Sequence, residues 1–196
     1  MAEQATPLVY VVDDDVDHAA AVSRLLRRRG YAARGFEAAD PMLREHERTP
    51  ADCVVTDVIM EGASGFVLAE RLRRHGPRTA ILFMTAWPSS SDAVDSVRRL
   101  GGIDYLEKPL DTDRLLSSLA EGIVWSERGR VATMRLSALT HREREVFDLL
   151  VKGMSNKAVA VALGISPKTV EDHRAAITAK TGAGNLAQLI ALAASQ

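Results

Sequence analysis

The sequence predicts an α/β chain: a doubly wound, five-stranded parallel sheet followed by a small all-α domain. Three observations predict it. From residue 8 to about residue 122, short apolar runs alternate with helical patterns. Four of those runs lead into polar groups: Asp13-Asp14-Asp15 after Leu8-Val9-Tyr10-Val11-Val12, Asp57 closing Cys53-Val54-Val55-Thr56-Asp57, Thr85 after Ala80-Ile81-Leu82-Phe83-Met84, and Lys108 after Tyr105-Leu106-Glu107. From residue 137 onward only helical periodicity remains. Five β/α units imply parallel strands covered by helices on both faces.

The first strand runs from Leu8 to Val12, and a helix over 17–29 stops at Gly30. Phe36 marks a short second strand. Asp40-Pro41 opens the next helix, with Asp40 as N-cap and Pro41 in the first position. The strand ending at Asp57 leads through Gly62 and Gly65 to a helix over 66–74. The fourth strand ends near Met84, and a helix is expected over 92–100. Gly101-Gly102 breaks it before a last strand over 103–106, and a fifth helix starts near Asp111. These elements make residues 1–123 one domain. Residues 124–136 read as a polar linker around Arg128-Gly129-Arg130, without an apolar stripe. Residues 137–196 form the second domain. Its helices are His141–Val151, Asn156–Leu163 capped by Ser155, one from Pro167 to about Thr181, and a last one over 185–194.

The 196 residues suit two small domains, and a hydrophobic share of 46% excludes wholesale disorder. The net charge of −1 is unevenly spread. Residues 1–123 hold 15 Lys and Arg against 20 Asp and Glu, a balance of −5; residues 137–196 hold 7 against 5, a balance of +2. An acidic half joined to a mildly basic half suggests two jobs. The single Cys53 lies in an apolar run and reads as a small core residue in a reducing compartment. No signal peptide and no membrane-spanning run is expected, so the cytoplasm is the expected location, with no membrane partner.

In an open α/β sheet the carboxyl ends of the strands converge on one crevice. Asp13, Asp14 and Asp57 can supply carboxylates to Mg²⁺, which wants oxygen ligands in near-octahedral array. A carboxylate is also a nucleophile that forms acyl phosphates. Phosphoryl transfer needs positioning and charge neutralisation, which Mg²⁺ and Lys108 can supply, and Thr85 can hydrogen-bond a phosphoryl oxygen. Each residue has a plainer reading. The acid cluster before a helix can be only a cap, Asp57 and Thr85 can be turn residues, and Lys108 a solvated charge. Together the plain readings require four coincidences at strand ends.

Residues 8–122 resemble a response-regulator receiver domain, of flavodoxin-like fold. The resemblance is carried by Val11-Val12-Asp13-Asp14-Asp15, Thr56-Asp57-Val58-Ile59-Met60, Met84-Thr85-Ala86 and Glu107-Lys108-Pro109. It implies that Asp57 takes a phosphoryl group from a phosphohistidine on a cognate sensor histidine kinase. It implies a metal pocket of Asp13 and Asp14, with Asp57 and the Ile59 carbonyl as further ligands. It makes Lys108 the phosphate counter-ion, Thr85 the switch hydroxyl and Tyr105 the switch aromatic, and it implies a cis Lys108–Pro109 bond. Two features depart from the family pattern. Glu61 stands where proline is usual, and the stretch Ala86-Trp87-Pro88-Ser89-Ser90-Ser91 is one residue longer than is usual.

The second domain reads as a helix-turn-helix: Asn156–Leu163, a turn at Gly164-Ile165-Ser166, then a helix from Pro167. Its frame resembles the LuxR-type DNA-binding domain, and the domain order resembles the FixJ/NarL class of two-component response regulators. Val170 and Ile177, seven apart, are expected in the core, with His173 either packed between them or facing DNA. Lys168, Thr169, Arg174 and Lys180 are the candidates to meet double-stranded DNA. A weakly basic domain implies a homodimer, formed on phosphorylation, and a regulator of this class implies RNA polymerase as a further partner.

Two other readings stand beside this one. An aspartyl-phosphate phosphatase of haloacid-dehalogenase type also places acids after its first strand; it needs Asp-x-Asp-x-Thr/Val, and this chain has Asp17 at the last position. A receiver that only mediates assembly would need neither the acidic pair nor Lys108. The reading adopted is a regulator and not an enzyme.

Overall fold

A computed structural model describes residues 6–74, 79–87 and 101–195. The helix expected over 92–100, with Arg98, lies outside the described residues, as do Ser89, Ser90 and Ser91. The chain forms two compact units, Met1–Glu127 and Arg128–Gln196.

The first unit runs β1 (Leu8–Val12), α1 (Val16–Arg28), β2 (Ala32–Phe36), α2 (Ala39–Arg48), β3 (Cys53–Asp57), α3 (Gly65–Arg74), β4 (Ala80–Thr85) and β5 (Asp104–Glu107), then enters α4 (Thr112–Ser137). The five strands are parallel in the order β2-β1-β3-β4-β5. The period of two along each strand divides the apolar residues between two faces. Val9, Val11, Val55, Leu82 and Met84 pack with Ala19, Val22 and Leu26 of α1 and Leu115 and Leu119 of α4. Tyr10, Val12, Val54, Ile81 and Phe83 pack with Met42 of α2 and Leu68 and Leu72 of α3. This is why the runs of β1, β3 and β4 are almost wholly apolar: both faces are covered. Each of the Val, Leu, Ile, Phe and Met side chains among these residues contributes about 1.5–3 kcal/mol by leaving water.

Register sets the site. Val12 pairs with Thr56, Asp57 with Met84, and Thr85 with Glu107. The residues just past these pairs, Asp13 and Lys108, therefore reach the same end of the sheet as Asp57 and Thr85. Gly65 makes the turn after β3 possible, since a Cβ there would lie 2.2 Å from the Asp57 carbonyl oxygen.

Two local expectations change. Asp40 is not the N-cap of α2. The helix begins at Ala39, with Ala38 as N-cap and no side-chain cap, and Asp40 instead pairs with Arg71 at 2.5 Å. Pro41 thus sits in the first turn, where backbone N–H groups lack intrahelical acceptors, so its missing donor costs nothing. The stretch 124–136 is helical, part of α4. Its buried residues Ser126, Gly129, Ala132 and Leu136 recur at helical spacing. Three of the four are small, so a search for large apolar residues finds no stripe.

The second unit holds α5 (His141–Val151), α6 (Asn156–Leu163), α7 (Pro167–Thr181) and α8 (Leu186–Ala194). Thr140 and Glu143 form a reciprocal capping box on α5, and Ser155, Ser166 and Asn185 cap the other three. Gly164 ends α6 at φ 64°, a left-handed conformation that glycine adopts without strain. Val146, Phe147, Leu150, Val159, Val170, Ile177 and Leu189 form the core. Among the described residues no helix is long and apolar enough to cross a membrane.

Candidate functional site

The acid run after β1 divides its labour. Asp15 caps α1, accepting the His18 amide at 3.0 Å. Asp13 is wholly buried and points inward. Its Oδ1 accepts the Asp15 amide at 3.0 Å, and its Oδ2 accepts Lys108 Nζ at 2.7 Å and meets His18 Nδ1 at 2.6 Å. Asp14 is exposed and accepts the Glu61 amide at 3.0 Å. The plain reading of the cluster as a helix cap is thus true of one acid in three.

Asp57 is buried, with Oδ1 accepting the Ile59 amide at 3.1 Å and Oδ2 accepting Lys108 Nζ at 2.5 Å. One carboxylate oxygen from each of Asp13, Asp14 and Asp57 lies within 4.8 Å of the others. Lys108 bridges two buried carboxylates. Partial burial alone would lower its pKa; the hydrogen bonds and charges of Asp13 and Asp57 outweigh it and raise it above the ordinary lysine value. Thr85 is buried, and its Oγ1 accepts the Trp87 amide at 3.1 Å. Tyr105, next to Phe83 across the β4–β5 pair, packs half-buried on one core face. The Lys108–Pro109 bond is cis. Oxygen donors beside one ammonium have the chemistry to take a hard divalent cation and an anionic group.

The structure therefore brings together Asp13, Asp14, Asp57 and Lys108, with Thr85 at the end of the adjoining strand. Ile59 follows Asp57 in the loop, its side chain exposed. His18 was not among the sequence candidates. The signal available was its position, three residues past the Asp15 cap on the first turn of α1, which is where a side chain folds back over the cap.

In the second unit, Lys168 is exposed and lies 3.3 Å from Asp172 and 3.9 Å from Glu171 on its own helix. Thr169 shares a 2.9 Å hydrogen bond with Ser166. Arg174 is exposed and donates to Asn156 Oδ1 at 2.7 Å, joining α7 to α6. Lys180 donates to Glu143 at 2.6 and 2.9 Å. Val170 and Ile177 are buried as their spacing predicts, and His173 between them is half-buried. Glu143 and Asn156 were missed by the sequence reading. Glu143 was legible in principle as the third helical residue of a Thr-x-x-Glu capping box.

Comparison with known proteins covers both units. Residues 9–120 match the response regulator receiver domain family, and residues 137–193 match the bacterial regulatory proteins of the luxR family. The transcriptional regulatory protein FixJ of Azorhizobium caulinodans is 35% identical over 192 residues, spanning 94% of this chain and 90% of that protein. The solved response regulator StyR is 32% identical, covers 98% of this chain and 100% of its own, and superposes with a TM-score of 0.58. Full-length FixJ from B. japonicum is 33% identical, covers 96% of each chain and gives a TM-score of 0.55. These relatives are regulators, so the phosphatase reading falls away. The chain belongs to the two-component response regulators of the FixJ/NarL class, as a DNA-binding transcriptional regulator with a receiver domain and a LuxR-type helix-turn-helix.

Proposed function

We propose that Asp57 accepts a phosphoryl group from a phosphohistidine of a cognate sensor histidine kinase, and that this switches dimerisation and transcriptional control. The observation that carries the reading is the bridge of Lys108 between Asp13 and Asp57, with Asp14 beside it as the third carboxylate of a cluster drawn from two strand ends. An Asp57 oxygen would bond to phosphorus as the phosphorus–nitrogen bond breaks, leaving the kinase imidazole.

The donor set fits Mg²⁺: hard oxygens, with Asp14 open to water. Asp13, Asp14, Asp57 and the Ile59 carbonyl would hold it, and it would supply neutralisation of phosphoryl charge. Lys108 would turn from Asp57 to the phosphoryl oxygens. Thr85 would donate its hydroxyl to one of them, and Tyr105 would move into the space vacated.

The domains are proposed as receiver, 1–123, helical linker, 124–136, and DNA-reading domain, 137–196. Lys168, Thr169 and Arg174 are proposed to meet double-stranded DNA. Lys180 would do so only in competition with Glu143. A cytoplasmic homodimer acting with RNA polymerase completes the reading. The test is incubation with acetyl phosphate and Mg²⁺. Asp57 should be labelled, and Asp57→Asn should abolish labelling; label that persists in this variant would place the acceptor elsewhere.

A further inference from the structure

We infer that His18 is a positioning residue of the acidic pocket, fixing the Asp13 carboxylate so that its Oδ1 edge is the one offered to a divalent cation. The inference rests on the proposed function only in taking the acidic pocket to be a cation site.

A carboxylate has about four acceptor positions, two on each oxygen. On Asp13 Oδ2 both are filled, by Lys108 Nζ at 2.7 Å and His18 Nδ1 at 2.6 Å. On Oδ1 one is filled, by the Asp15 amide at 3.0 Å. The remaining lone pair lies on Oδ1. An ionised carboxylate only accepts, so the hydrogen of the His18 contact sits on Nδ1.

The two donors on Oδ2 differ in permanence. Lys108 is a point charge on a four-carbon stem, already shared with Asp57 Oδ2. Its donors are divided between the two carboxylates. His18 has two side-chain torsions, and its backbone is pinned in the first turn of α1 by the 3.0 Å bond from its amide to Asp15. His18 thus holds Asp13 in one orientation however Lys108 divides its donors. A wholly buried carboxylate that lost both donors would turn to find others, and the lone pair facing the cation would turn with it.

The test measures Mn²⁺ affinity of the full chain, from loss of the free-ion electron paramagnetic resonance signal, with Mg²⁺ as competitor. His18→Ala should weaken binding about tenfold or more, the usual effect of losing a partner that orients a ligand. Asparagine places its amide where Nδ1 stands, and glutamine places it where Nε2 stands. His18→Asn should therefore recover most of the affinity, and His18→Gln should stay as weak as His18→Ala. Unchanged affinity in His18→Ala overturns the inference, as does equal affinity of the Asn and Gln variants, which would reduce His18 to packing. Mn²⁺ binding unaffected by Asp13→Asn overturns it too. Absence of label on Asp57 would sink the phosphoacceptor reading alone, because the order of metal affinities is read without phosphoryl transfer.

Discussion

Lys180 of α7 holds both oxygens of Glu143 of α5, at 2.6 and 2.9 Å, while the same carboxylate accepts the Thr140 amide at 2.7 Å. The helix that presents Lys168 and Arg174 is thereby tied to the cap of another helix. Lys180→Ala should lower the stability of the second unit by about 1 kcal/mol, the scale of a weakened cap. Thermal melting of the parent and the variant checks this.

The same pair predicts an acid response. The Lys180 ammonium, then the Thr140 amide, lower the Glu143 pKa below its ordinary 4.5. A lowered folded pKa means that the unfolded chain binds the proton more readily. The contribution is full above about pH 4.5 and is lost as pH falls through the folded value. Melting temperature should drop with pH in that acid window, and the slope should flatten in Lys180→Ala. An equal slope in the two chains would show that other groups govern the acid response.

Lys108→Ala leaves the buried Asp13 and Asp57 carboxylates without their common cation. Breaking such a pair costs about 3–5 kcal/mol when fully buried, and somewhat less here because Lys108 is only half-buried. Mg²⁺ should restore a larger share of stability in the variant than in the parent, since it would replace the missing charge. Melting curves with and without excess Mg²⁺ give the comparison. A variant that gains no more from Mg²⁺ than the parent contradicts the pocket's role.

On the DNA side, Lys168→Ala and Arg174→Ala should each weaken binding. A lost phosphate contact lowers affinity for all sequences and reduces the salt slope by about one unit. A lost base contact relaxes preference at one position and costs about 1–3 kcal/mol. Arg174→Ala also releases Asn156, so its melting curve must be measured alongside. Unchanged affinity in both variants would remove α7 from the reading role.

Phosphorylation should convert a monomer into a dimer that presents two reading helices about 34 Å apart, one turn of DNA. Sedimentation with and without beryllofluoride, a phosphoryl mimic, tests it; equal dimerisation in both states would leave rearrangement within a standing dimer. Asp104 of β5 is already engaged within the first unit, which leaves its carboxylate little to offer an interface. Its carboxylate is held by Arg114 at 2.9 and 3.2 Å and by Ser118 at 2.6 Å.

The strands and the acidic pocket were legible because their logic is local. A run apolar at every position is buried on both faces, and the residue that ends it must lie at a sheet edge where strands converge. Asp13, Asp57 and Thr85 followed from that rule; Lys108 follows a shorter, mixed run, Tyr105-Leu106-Glu107, and was read from its place in the order of strands. His18 followed from neither, because spacing shows that it stacks over the first turn but not which acid it finds. Lys180 and Glu143 are far apart in sequence, and a lysine on a reading helix looks the same whether it faces phosphate or a carboxylate behind it. The helicity of residues 124–136 was missed because small buried residues give weak hydropathy contrast.

The strand order has one more consequence. It places β2 and β5 at the two borders of the sheet, where unpaired backbone would invite a strand from another molecule. β2 carries exposed Arg34 there, and β5 is four residues long and ends on exposed Glu107. Short, charged borders discourage backbone-to-backbone addition. Any association of this chain with itself would thereby be steered to side-chain surfaces, which a change of charge could reverse, and away from continuous cross-molecular sheets.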